Sequence, residues 1–227
     1  MLLKLDHSWD WMVKRKKPTH KIQSIQSQKR YKNRFTITLE SGDVFGISED
    51  VLISNNLRTG QDLSLSQINH IQQEEIKVKI KNSAILLLSY RMRSKAELEE
   101  RLLKKNYDKI LVSTVISDLE SSGYINDNEF CEMYANHLIK NKLLGPMAVR
   151  SHFLKHKISE DILNETMNKL YDKMNIENII ETNIQKRIRG KSLTDKEKLK
   201  TIQFLKRKGF FWHDIEPVIQ SIPWESA

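Results

Sequence analysis

Ser94-Lys95-Ala96-Glu97-Leu98, followed by Leu102, Tyr107, Val115, Ile116 and Leu119, falls without a gap on Gly145-Pro146-Met147-Ala148-Val149, Phe153, Ile158, Thr166, Met167 and Leu170, at an offset of 51. A third copy follows, because at a further offset of 52 Phe153, Ile158, Met167 and Leu170 land on Leu205, Phe210, Ile219 and Ile222. Apolar positions that return with a period of about fifty residues, each time behind a helical stretch, describe stacked supersecondary units that bury their faces against one another.

Helical spacing inside each copy predicts three helices. The first copy places them near 82–91, 94–105 and 108–121, the second at 127–141, 145–156 and 159–172, and the third at 175–189, 194–208 and 212–221. Gly145-Pro146 opens a middle helix with proline at its first position, and Ser159 and Thr194 are residue types that cap helices.

Upstream of the repeats the pattern changes. Arg34-Phe35-Thr36-Ile37-Thr38-Leu39 alternates with period two, Ser41-Gly42-Asp43 supplies a turn, and Val44-Phe45-Gly46-Ile47 resumes, which predicts a β-hairpin with room for one further strand beside it. Ser48-Glu49-Asp50 then caps a short helix ending near Leu57-Arg58-Thr59-Gly60-Gln61. Residues 1–30 hold Trp9, Trp11 and Lys14-Arg15-Lys16-Lys17-Pro18 with no clean period, and read as a basic arm.

The expected architecture is therefore mainly α: three tandem three-helix repeats forming an elongated curved array, preceded by a small α+β module containing the hairpin. The boundaries are a basic arm at 1–30, a β-containing module at 31–80, and repeats at 81–124, 125–173 and 174–227.

The 227 residues carry a formal charge of +9, and it is unevenly spread. Residues 1–35 hold ten Lys/Arg against two acids, and residues 186–208 hold ten against Asp195 and Glu197. Such clusters favour a polyanion, since every phosphate contact releases counterions. Lys104, Lys155 and Arg207 occupy one repeat position, and Lys105, His156 and Lys208 the next. Regular stacking would align them in a basic stripe suited to a filament or groove. The same cations near helix C-termini also offset the helix dipole, worth about 0.3–1 kcal/mol each.

Catalytic constellations do not emerge. No glycine pair has the G-x-G spacing of a phosphate cradle. His152 and His156 lie four apart without a third metal ligand, and Cys131 and His137, six apart, point to different faces of a helix. Acid pairs such as Glu74-Glu75, Glu99-Glu100 and Glu160-Asp161 read as solvated carboxylates, and Cys131 as a buried structural thiol. No enzyme, metal or cofactor is expected. The longest apolar run, Ala84-Ile85-Leu86-Leu87-Leu88, is far short of the ~20 residues of a spanning helix. A single cysteine suits a reducing compartment, and the cytoplasm is the expected location.

Gly123-Tyr124-Ile125-Asn126-Asp127-Asn128-Glu129-Phe130, continuing through Tyr134, Ala135 and Leu138 to Gly145-Pro146, resembles the signature of the RecX family, bacterial regulators of the RecA recombinase. Leu88-Ser89-Tyr90-Arg91 with Arg93-Ser94 is similar to the start of that family's first repeat. Phe204-Leu205-Lys206-Arg207-Lys208-Gly209-Phe210 is similar to its third-repeat middle helix, and Phe45-Gly46-Ile47-Ser48-Glu49-Asp50 to the N-terminal extension of Firmicute members.

The resemblance implies a monomeric, non-enzymatic modulator of recombination and repair. It would bind the groove of the RecA–DNA filament, inhibit the recombinase, and contact single- and double-stranded DNA. Arg91, Arg93, Arg101, Lys104, Lys105, Lys155, Arg187, Arg189, Arg207 and Lys208 are the expected partner- or DNA-binding residues; Tyr124, Phe130, Tyr134, Gly145 and Pro146 are the expected anchors of the repeat junction. A stand-alone DNA-binding protein or transcriptional regulator is the alternative, since three-helix units also resemble helix-turn-helix modules. A scaffold for acidic proteins is a third.

Overall fold

The computed structural model describes residues 20–225, which form mainly helix with one small antiparallel sheet. Trp9, Trp11 and the Lys14–Lys17 run lie outside the described residues. The described residues divide into two compact units, with the division between Lys79 and Ile80.

The first unit is built on three strands in the order β1-β2-β3: β1 (Ile22–Ser27), β2 (Arg34–Leu39) and β3 (Val44–Ser48). The expected hairpin is β2–β3, with Phe35 opposite Ile47 and Ile37 opposite Phe45. Gly42, at φ +92°, closes its turn by donating its N–H to the Leu39 carbonyl at 2.9 Å. The further strand is β1, and it corrects the boundary of the basic arm, because it lies inside residues 1–30. Its period is hidden by a bulge between Ile22 and Ser24: Ile22 pairs with Leu39 and Ile25 with Ile37, so three residues on β1 span two on β2. Two isoleucines three apart in sequence thereby reach one face.

Ser48 caps α1 (Glu49–Ser54), its Oγ accepting from the Val51 N–H. The core of this unit joins Ile22, Ile37, Leu39 and Ile47 to Val51, Leu57 and Leu63, and to Ile68 and Ile71 of α2 (Leu65–Tyr90). One charged group enters it. The Glu75 carboxylate is buried, accepts from the Ser48 N–H and from Arg34 Nη2, each at 2.7 Å, and so ties α2 to the end of β3.

The second unit contains the repeats. The first uses the C-terminal end of α2, α3 (Lys95–Leu103) and α4 (Lys109–Ser121), so its opening helix is the tail of a 26-residue helix rather than a separate one near 82–91. The second uses α5 (Asp127–Lys140), α6 (Pro146–Phe153) extended by a 3-10 turn (Leu154–His156), and α7 (Glu160–Lys173). The third uses α8 (Ile176–Ile188), α9 (Asp195–Arg207) and α10 (Trp212–Gln220).

Ser94, Asp108, Asn126, Ser159, Asn175 and Thr194 each cap the following helix through a side-chain oxygen, and Gly145 precedes Pro146 without such a bond. Equivalent positions share their burial: Leu102, Phe153 and Leu205 lie inside, as do Ile116, Met167 and Ile219. They also share an unusual backbone state. Asn106, Lys157 and Gly209, again at offsets of 51 and 52, follow the middle helices with φ of 61°, 50° and 86°. Each repeat therefore stops its middle helix on a left-handed residue.

Candidate nucleic-acid and partner interface

The joint between the first and second repeats is made by side chains. Asp127, at the start of α5, accepts from the Lys95 N–H at 2.8 Å, and burial pushes its carboxyl above the ordinary aspartate range. His156 reaches from the 3-10 turn to Ser94, with 3.4 Å between Nδ1 and Oγ. Its ring sits among Phe130, Tyr134 and Phe153, at centroid distances of 4.9, 5.1 and 6.2 Å. Burial, with Lys155 next in effect, holds the imidazole below the usual histidine range. His156 is thus a core residue and does not continue the stripe between Lys105 and Lys208, because the 3-10 turn after Phe153 rotates it inward.

Phe130, an expected junction anchor, is buried and packs edge-to-face on Phe153 within the second repeat. Tyr134 is half-buried, stacked on Phe130 at 5.6 Å. Tyr124 departs from expectation, being 59% exposed. Gly123 takes a left-handed φ of 75° as α4 ends, the Tyr124 N–H bonds back to the Leu119 carbonyl, and the buried place falls to Ile125.

Three of the expected surface arginines converge on one carboxylate. Arg91 at 2.5 Å, Arg101 at 3.1 Å and Arg93 at closer range all reach Glu97 Oε1. The three guanidinium groups overcome the effect of burial, which acts the other way, and keep the Glu97 carboxyl below the usual range. Arg93 is buried and also donates Nε–H to the Leu87 carbonyl at 3.0 Å, so it braces α2 against α3 rather than facing solvent. Glu97 was no part of the expected site. Its spacing to Arg93 and Arg101, four residues either way, is the signal that marks it.

Lys104, Lys105, Lys155, Arg189 and Arg207 are exposed, as surface contacts require. Lys104 pairs with Glu100 at 2.5 Å, one turn back on α3.

The joint between the second and third repeats includes direct backbone-to-backbone bonds. Gly145 donates its N–H to the Lys208 carbonyl at 2.8 Å, and Met147 donates to the Gly209 carbonyl at 3.0 Å. Pro146 follows as the first residue of α6. Asn183 Nδ2 donates across this joint to the Leu143 carbonyl, and Lys208 Nζ to the Lys142 carbonyl. Arg187 lies over the Phe204 ring, 5.1 Å from its centroid. Arg187, Lys208, Gly145 and Pro146 are among the site residues expected from the sequence; Asn183 and the 141–143 loop join Phe204 only through the stacking.

The remaining chemistry is sparse. Cys131 is buried, and desolvation raises its thiol. Tyr171, whose hydroxyl donates to the Leu144 carbonyl at 3.0 Å, is pushed well above the ordinary phenol range by burial. Among the described residues no group of three or more His, Cys, Asp or Glu is arranged to hold a metal, and no helix is long and apolar enough to cross a membrane.

A family model described as "RecX, first three-helix domain" matches residues 81–119. The chain is similar to "Regulatory protein RecX" of Bacillus velezensis (strain DSM 23117 / BGSC 10A6 / LMG 26770 / FZB42), with 31% identity over 206 residues, covering 90% of this chain and 78% of that protein. It is also similar to "Regulatory protein RecX" of Listeria monocytogenes serotype 4a (strain HCC23), with 30% identity over 158 residues; that match spans 70% of this chain but 59% of the relative's length. Among solved structures, "Crystal structure of regulatory protein RecX" superposes with a TM-score of 0.74 at 24% identity, covering 88% of this chain and 99% of that one, and so shares its fold.

Proposed function

The chain belongs to the RecX family of regulatory proteins, and from that premise we propose that it regulates homologous recombination and DNA repair in the cytoplasm by binding the groove of the RecA–DNA filament and inhibiting the recombinase. It acts as a monomer and without catalysis, through contact alone. The observation that carries this reading is the periodic placement of Lys104, Lys155 and Arg207, all exposed, at the ends of successive middle helices. A periodic cationic surface suits a ligand that is itself periodic and anionic, and a nucleoprotein filament has both properties.

The deciding experiment mixes the purified chain with RecA, with and without single-stranded DNA, and follows both co-sedimentation and DNA-dependent ATP hydrolysis by RecA. Co-sedimentation with the filament and a fall in hydrolysis are expected. The three-helix units also support a second reading, a stand-alone DNA-binding protein. In that case the chain binds DNA equally well with RecA absent and leaves hydrolysis unchanged.

A further inference from the structure

Five cations face one cavity of about 360 Å³ at the joint of the second and third repeats. Lys142 enters from the loop after α5, Lys186 and Arg187 from the end of α8, Lys191 from the turn that follows, and Lys208 from the end of α9. No carboxylate is among the lining residues. Glu197 lies beside the cluster, its Oε2 3.7 Å from Lys191 Nζ and its charge acting on Arg187 as well. Like charges brought together repel, and the repulsion falls when an anion enters.

Arg187 shows that the arrangement is incomplete as it stands. Its Nε is buried and has no hydrogen-bond partner among the described residues, although the guanidinium is fixed over Phe204. A buried donor without an acceptor costs free energy that a bound oxygen recovers. Lys208 is likewise held, with Nζ on the Lys142 carbonyl at 2.7 Å and 5.7 Å from the Phe204 centroid. Two of the cations are therefore positioned before any ligand arrives, and the exposed Lys142, Lys186 and Lys191 surround them.

We propose that this cavity is a binding site for the phosphodiester backbone of a single nucleic-acid strand, an inference that rests on the nucleic-acid reading above and assigns it a place. Phosphate suits the Arg187 fork, which can present paired donors to paired oxygens. The strand presents phosphates in series, so several cations are matched at once. The Arg187–Phe204 stack sets a planar cation and an aromatic ring beside those cations, the combination on which unpaired bases rest. An acidic peptide would satisfy the charge but make no use of the flat surfaces.

The test uses the full chain and a fluorescent oligothymidylate, read by anisotropy over a range of salt, with inorganic phosphate and polyglutamate as competitors. Lys186→Gln combined with Arg187→Gln is expected to weaken binding about tenfold at low salt and to flatten the salt slope by about 1.4, the contribution of two single-strand phosphate contacts. Charge-retaining Arg187→Lys keeps most of the slope. If the double variant loses its unfolding transition, Lys142→Gln with Lys191→Gln, both exposed, gives the same reading without touching Phe204. Unchanged affinity and slope in folded variants overturn the site while leaving wild-type DNA binding intact. A wild type that binds no oligothymidylate overturns the nucleic-acid reading itself. Displacement of the probe by polyglutamate but not by phosphate would assign the cavity to an acidic protein and overturn the proposal.

Discussion

Gly145 and Gly209 meet backbone to backbone: a Cβ on Gly145 would stand 2.5 Å from both the carbonyl carbon and the carbonyl oxygen of Gly209. Neither glycine can carry a side chain in this packing, since a Cβ on Gly209 would in turn strike Ala148. The closeness allows the two main-chain hydrogen bonds that join the second and third repeats.

Gly145→Ala should therefore destabilise the protein by at least about 1–3 kcal/mol, the usual cost of forcing extra volume into a packed site. The neighbour is backbone, which cannot turn aside as a side chain could. Thermal unfolding of the variant followed by circular dichroism measures it, and a wild-type Tm would mean that the helices part at no cost.

Lys157 offers the opposite sign. It holds φ of 50° at the position where the third repeat has Gly209. A left-handed conformation costs a non-glycine residue about 1–2 kcal/mol, and part of that is offset by the greater unfolded-state freedom of glycine. Lys157→Gly is expected to stabilise by about 0.5–1 kcal/mol in urea unfolding, with an unchanged m-value.

The buried histidine predicts a pH dependence. Burial keeps His156 neutral in the folded chain, with Lys155, Arg91 and His152 acting the same way and Glu97 opposing them. As pH falls through about 6.5 the unfolded chain takes up a proton that the folded chain resists, so stability is full above that pH and declines below it. His152, also held low by burial, adds to the same slope. The fall in Tm between pH 7.5 and 5.5 should be smaller in His156→Phe than in the wild type; equal falls would place the titration elsewhere.

Reversal of the stripe, with Lys104, Lys155 and Arg207 all changed to Glu, should weaken filament binding and flatten its salt dependence by about 2 for a single strand. Lys104 is partly committed to Glu100, so its single reversal should matter least of the three. Equal affinities for wild type and triple variant at two salt concentrations would leave these residues to the helix termini.

The helices were legible because three copies of one pattern check each other. Leu102, Phe153 and Leu205 are different residues with one burial, and the offset, not the residue type, identifies them. Two things were hidden for physical reasons. A bulge broke the alternation of β1, so Ile22 and Ile25 did not read as one face. Exposure departs from the repeat pattern where a turn rotates a residue: His156 turns in and Tyr124 turns out, because a 3-10 turn and a left-handed glycine change the register within one or two residues. The +8 cluster at 186–208 located the basic region of the third repeat, but its closure into a cavity needed Lys142 from another repeat.

The two joints of the array differ in how they would fail under load. Between the second and third repeats two of the connecting hydrogen bonds are main chain to main chain, so rotamer changes at Asn183 or Lys208 can remove the side-chain bonds beside them but cannot release that pair. Between the first and second the connection runs through Asp127, Ser94 and His156, side chains that can swing, exchange partners or change charge. A force that pulls the repeats apart, such as a filament extending beneath a bound regulator, would open the first joint and leave the last two repeats moving as a single piece.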